Sequence, residues 1–277
     1  MKYFSTLIAL ALCLVATSCG DKGDNNAYYQ AEMINHLANV DATEENPGTA
    51  TMTTSVYEII INSDKGTADV ACSVTLPDGS TGTIDLRDLS CTYNSSTNVY
   101  TFKQTSSTSS KGKFVATGMT GKLDLNQSSD YSQTEFTCTV ESHYTLTGTL
   151  SDYNFSDCTS KVTGIETGEE FTVADGEYIF TINSVDKETA TVTIKGLYFE
   201  PNRVPKTIAY EGLTIEPTFY GYHITGENIL PTTGGEASLA KYTLESLDAM
   251  VAFYGGYNVS YKIKDVAYVE SNNFFDF

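Results

Sequence analysis

Three side chains in this sequence could serve as acid, base or metal ligand near neutral pH: His36, His143 and His223. They are scattered through 277 residues with no Cys/His spacing of the zinc type and no GxSxG elbow that would select a serine partner. Carboxylates lie close in sequence at Glu135 and Glu141, Glu169 and Glu170, and Glu211 and Glu216. Glycoside hydrolysis needs two carboxyl groups facing each other across a cleft, which spacing along a strand does not provide, so a solvated sheet face is the simpler reading. DLNQSSD, at 124–130, carries oxygen ligands but lacks the glycine and terminal glutamate of an EF-hand loop. No glycine run matches a phosphate-binding loop. The sequence therefore assigns no catalytic, metal or cofactor residues.

The thiols and tyrosines carry more information. Cys72, Cys91, Cys138 and Cys158 all lie in the first part of the chain, where alternation turns Cys72, Cys91 and Cys138 toward an apolar face. They are candidate disulfide cysteines, with three pairings open, or small buried hydrophobes. Tyrosine is abundant, at 19 residues, and tryptophan is absent. FYGYH, at 219–223, and FYGGY, at 253–257, set rings beside glycines. Tyr220, Tyr222, Tyr254 and Tyr257 are thus candidate contacts for an apolar or glycan ligand, against the plainer reading of tyrosines walling a β core.

The positions that must hold such residues read as strands. YEIIINSDKGTADVAC from Tyr57 returns as YIFTINSVDKETATVTI from Tyr178, and TIDLRDLSCT from Thr83 returns as TIAYEGLTIE from Thr207. Two echoes in the same order indicate an internal duplication. Tyr57, Ile59 and Ile61 alternate onto one face as Tyr178, Phe180 and Ile182 do in the second copy. Short, evenly spaced strands between turn residues predict a mainly β fold of two related antiparallel modules, each a barrel or a sandwich. Before them, AYYQAEMINHLANV spaces Tyr29, Met33, Leu37 and Val40 at three- and four-residue intervals, which predicts a short amphipathic helix.

The segment LALCLVATSCGDKGD places Cys19 after a charged start and an apolar run, Leu7 to Ala16, too short to span a bilayer permanently. It resembles a bacterial lipoprotein signal, with Ala16 where a leucine is usual. The acidic stretch after the cysteine is similar to the export signal of Bacteroidetes-type surface lipoproteins. The resemblance implies lipidation at Cys19 and an outer-membrane, cell-surface location, with the membrane as partner through the lipid. With the repeat length and strand pattern, the chain resembles calycin-like β-barrel lipoproteins of gut bacteria, which implies lipocalin-like barrels and binding of an apolar or sugar ligand.

The expected organisation is a signal peptide over 1–18, a tether and helix over 19–48, a first repeat over 49–156, a linker over 157–170 and a second repeat over 171–277. A formal charge of -19 disfavours nucleic acid as a partner. No later segment is long and apolar enough to span a bilayer as a helix. Non-enzymatic ligand binding leads, a structural or adhesive surface role is the alternative, and a hydrolase comes third.

Overall fold

A computed structural model describes residues 26–126, 134–200, 204–232, 239–253 and 255–274. The chain divides into two compact units, one holding residues up to Asn35 with Thr54–Thr149, the other His36–Thr53 with the residues from Leu150 onward.

The first barrel uses β1 (Asn26–Asn39), β2 (Ala50–Asn62), β3 (Thr67–Thr75), β4 (Thr81–Asn94), β5 (Val99–Lys103), the two-residue β6 (Ser109–Ser110), β7 (Ala116–Asp124), β8 (Glu135–Val140) and β9 (Tyr144–Thr149). Their order is β3-β2-β1-β9-β8-β7-β5-β4, and pairing of β3 with β4 closes the ring, with β6 lying against β4. The second consists of β10 (Asp152–Gly164), β11 (Glu170–Ser184), β12 (Thr189–Leu197), β13 (Lys206–Thr218), β14 (Gly221–Ile229), β15 (Leu244–Ala252), β16 (Tyr257–Ile263) and β17 (Ala267–Asn272). It closes through β10 and β17. Both are eight-stranded antiparallel barrels of the same up-and-down order, so the duplication seen in sequence is a duplication of fold. Closure leaves no free sheet edge in either ring.

An eight-stranded barrel is just wide enough to be filled by side chains. In the first, Tyr57, Ile59, Phe102, Phe136 and Leu123 are buried at its centre. In the second, Tyr178, Phe180, Tyr210, Tyr257 and Tyr261 take that place. The two interiors share a polar detail: the Tyr57 hydroxyl donates to Asn35 Oδ1 at 2.6 Å, and the Tyr178 hydroxyl lies 2.9 Å from Ser160 Oγ. Each thus bonds the first strand of its own barrel. Tyr57 stacks on Phe136 at 5.2 Å, and Tyr178 meets Tyr257 at 5.5 Å.

Two sequence expectations are corrected. Residues 26–39 form β1, not a helix. Tyr29, Met33 and Leu37 recur every four residues, a spacing that fits one helical face and one strand face alike. Ala31 and Asn35, both buried, lie on that same strand face between them. Without β1 the first barrel would stay open between β2 and β9. The expected linker 157–170 is mostly strand, since β10 runs to Gly164 and only five residues separate it from β11. Its polar composition concealed alternation in which Cys158, Ser160 and Val162 are buried. Register shifts on both sides of Cys158 broke the regular period as well.

Candidate functional site

Cys72, Cys91, Cys138 and Cys158 sit in these walls as free, buried thiols. Burial raises Cys72 and Cys138 to about 12 and Cys91 to about 11, and it also raises Cys158. A thiol so disposed is protonated at neutral pH and is no nucleophile. Among the described residues no group of three His, Cys, Asp or Glu side chains is placed to hold a metal ion. His143 lies in the β8–β9 turn of the first unit, and His223, on β14 of the second, contacts Asp248 at 3.3 Å.

The tyrosines singled out by sequence do not form one surface. Tyr257 is buried against Phe155 and Tyr178, its hydroxyl 2.7 Å from Ser271 Oγ. Tyr222 is fully buried, and Tyr220 is half-buried with its ring on Phe219. Tyr254 and Cys19 lie outside the described residues.

Tyr222 nevertheless leads to a site, because its strand position has a counterpart in the first barrel. Tyr222 pairs with Pro217 and Val251, as Tyr100 pairs with Tyr93 and Leu123. Both tyrosines stand where their barrels' fourth-to-fifth-strand hairpins begin to return, at the mouth. Each mouth also receives a tyrosine from its first strand, Tyr29 in one and Tyr153 in the other. Tyr29 and Tyr100 have ring centroids 6.3 Å apart, and Tyr153 and Tyr222 are 5.7 Å apart.

The two mouths differ in what lies on them. In the second, the His36 ring stands edge-on to Tyr222 at 5.7 Å and 4.5 Å from Phe253, while its Nε2–H donates to the Thr218 carbonyl. His36 is 1% exposed, and its burial lowers the imidazole to about 4. The 36–53 segment that carries it belongs to the same compact unit as these partners. In the first mouth Tyr93 packs on Tyr100 at 4.7 Å yet remains 49% exposed. Tyr29, half-buried there, is raised to about 12 by burial and by the nearby Tyr100 hydroxyl.

The rim of the first mouth carries amides. Asn98 adopts a left-handed backbone, φ 56°, in the β4–β5 turn, a conformation asparagine tolerates. Its Oδ1 accepts from the Tyr93 hydroxyl at 2.7 Å, and its Nδ2 donates to Asn126 Oδ1 at 3.3 Å. Asn126 is held in turn by donating to the Thr97 carbonyl and to Asp124 Oδ1. These bonds fix the orientation of the rim amides. Rings that expose faces beside oriented amides can take up the apolar face and the hydroxyls of a sugar together. FYGYH drew attention to the closed copy, while the open copy, split between Tyr29, Tyr93 and Tyr100, became visible only when three strands met.

A second depression, of about 740 Å³, crosses the outer face of the second barrel beside Lys161, Glu170, Asn258, Tyr268 and Glu270. Its charged groups are engaged with each other, Lys161 with Glu170 at 3.2 Å and the Tyr268 hydroxyl with Glu270 at 3.1 Å. Phe171, also on its border, stacks on Tyr198. It offers a ligand less than the first mouth does.

No family model matches the chain, and no curated protein matches it. Among solved structures it is similar to a crystal structure of a "putative outer membrane protein" from Bacteroides fragilis, at 15% identity and a TM-score of 0.31. That similarity covers 88% of this chain and 96% of the other.

Proposed function

We propose that this chain is an exported lipoprotein, anchored through Cys19 to the outer membrane, and that it binds a glycan without transforming it at the open mouth of the first barrel. The observation that carries the reading is the contrast between equivalent mouths. The second barrel's aromatic mouth is occupied by His36 of its own unit, and the first barrel's presents Tyr93 at 49% exposure over a rim of fixed amides. The filled interiors direct a ligand to a mouth rather than a lumen, and the raised, buried thiols support binding over chemistry.

The anchor and location rest on the LALCLVATSCGDKGD segment. A structural or adhesive role would be favoured by a continuous exposed apolar patch. The large exposed apolar residues, among them Val56, Val115, Ile165 and Leu230, each stand on a different strand or loop.

Calorimetric titration of the protein lacking its signal and lipid against a panel of neutral and acidic oligosaccharides tests the reading. A binder is expected, and Tyr100→Ala and Tyr93→Ala should each weaken it about two- to tenfold, since stacking on one ring contributes about 0.5 to 1.5 kcal/mol. Unchanged affinity in both variants would remove the mouth from the site, and silence across the panel would remove glycan binding.

A further inference from the structure

The open mouth lies at the end of the first barrel where the chain enters it. β1 starts at Asn26 and delivers Tyr29 to the mouth within four residues. Cys19 is seven residues before Asn26. A chain spans at most about 3.6 Å per residue, so the start of β1 can never be more than about 25 Å from the lipidated cysteine. The far end of the first barrel carries no such constraint, because β1 alone, at 14 residues, is roughly 45 Å long.

Resting on the reading of Cys19 and the mouth given above, we infer that the tether holds this mouth at the surface of the protein's own membrane, so that its ligand is the saccharide portion of a lipid in the same leaflet. Two further features fit. Tyrosine, with an apolar ring and a polar tip, is the residue type suited to a boundary between apolar and wet layers. The formal charge of -19 opposes adsorption of the barrel flat on anionic lipid. Confinement also raises the local concentration of a membrane-borne ligand without any added contact.

The chain contains no tryptophan, so Tyr93→Trp in the full acylated protein creates a single reporter at the mouth. The probe is a vesicle made from total outer-membrane lipid of the producing cells, compared with the same lipid after mild acid removal of its saccharides. The expected result is a blue-shifted emission and at least threefold protection from acrylamide quenching on the intact lipid, lost on the stripped lipid. Inserting 20 Gly/Ser residues after Gly23 lengthens the leash from about 7 to about 27 residues and should weaken that engagement roughly sevenfold, following the −3/2 power of linker length. Protection that survives saccharide removal, that ignores the insertion, or that never develops overturns the inference. If protection fails while free oligosaccharides still bind the lipid-free protein, the membrane assignment alone falls; if both fail, the glycan reading falls with it.

Discussion

At the residue scale, the most informative side chain is one that sequence placed on a helix. His36 is buried among Tyr222 and Phe253, and that burial lowers its imidazole from the ordinary 6.5 to about 4, outweighing the hydrogen bond to the Thr218 carbonyl, which acts in the opposite sense. The unfolded chain therefore binds a proton that the folded one refuses between those values. The stabilisation is complete above pH 6.5 and is lost as pH falls from 6.5 to 4, by roughly 3 kcal/mol at most. Thermal melts at pH 7.5, 5.5 and 4.5 should show this loss, and His36→Gln, which keeps a donor for Thr218 without a titrating ring, should flatten that part of the profile. An equal slope in the variant would assign the acid sensitivity elsewhere. The cysteines give a second expectation at this scale. Cys72, Cys91, Cys138 and Cys158 are free and buried, so they should resist a disulfide-exchange reagent in the native protein and all four react in denaturant. A bridged pair would leave only two.

At the element scale, strand alternation was legible wherever one face was apolar and the other polar. Tyr57, Ile59 and Ile61 on β2 and Tyr178, Phe180 and Ile182 on β11 point inward, as their alternation predicts. β1 was misread because both its faces are buried from Met33 to Ala38, which erases the polar half of the pattern and leaves a four-residue period that two geometries share. The mouth was partly legible: FYGYH pointed to Tyr222, whereas its counterpart Tyr100 sits in NVYTFK, where nothing local distinguishes it.

Packing across strands adds a requirement on glycine. At Gly148 on β9, an added Cβ would lie 2.4 Å from the Tyr57 hydroxyl, which is itself fixed to Asn35. Gly148→Val should therefore destabilise the first unit by about 1 to 3 kcal/mol. Denaturant unfolding followed by near-ultraviolet tyrosine signals would register it as a lower midpoint, and an unshifted midpoint would mean that the Tyr57 ring can move aside.

At the scale of the whole molecule, a formal charge of -19 is carried by 35 acidic against 16 basic residues. Several basic residues are committed to surface pairs, such as Lys195 with Glu177 and Lys262 with Glu245, which leaves an unbalanced acidic surface. Self-repulsion is screened by salt, so raising NaCl from about 20 to about 300 mM should raise the melting temperature by roughly a few degrees. A fall with added salt would show that attractive pairs dominate instead.

The duplication and the β class were determined by the sequence alone, because each is written in neighbouring residues or in a period of two. Only the tertiary structure decided that each repeat closes as a barrel and that β1 is the strand completing the first ring. It also decided that one aromatic mouth is covered by His36 while its twin keeps Tyr93 exposed. These depend on side chains that meet from strands far apart in the chain, and no local pattern of charge or hydropathy encodes such a meeting until ring closure brings them together.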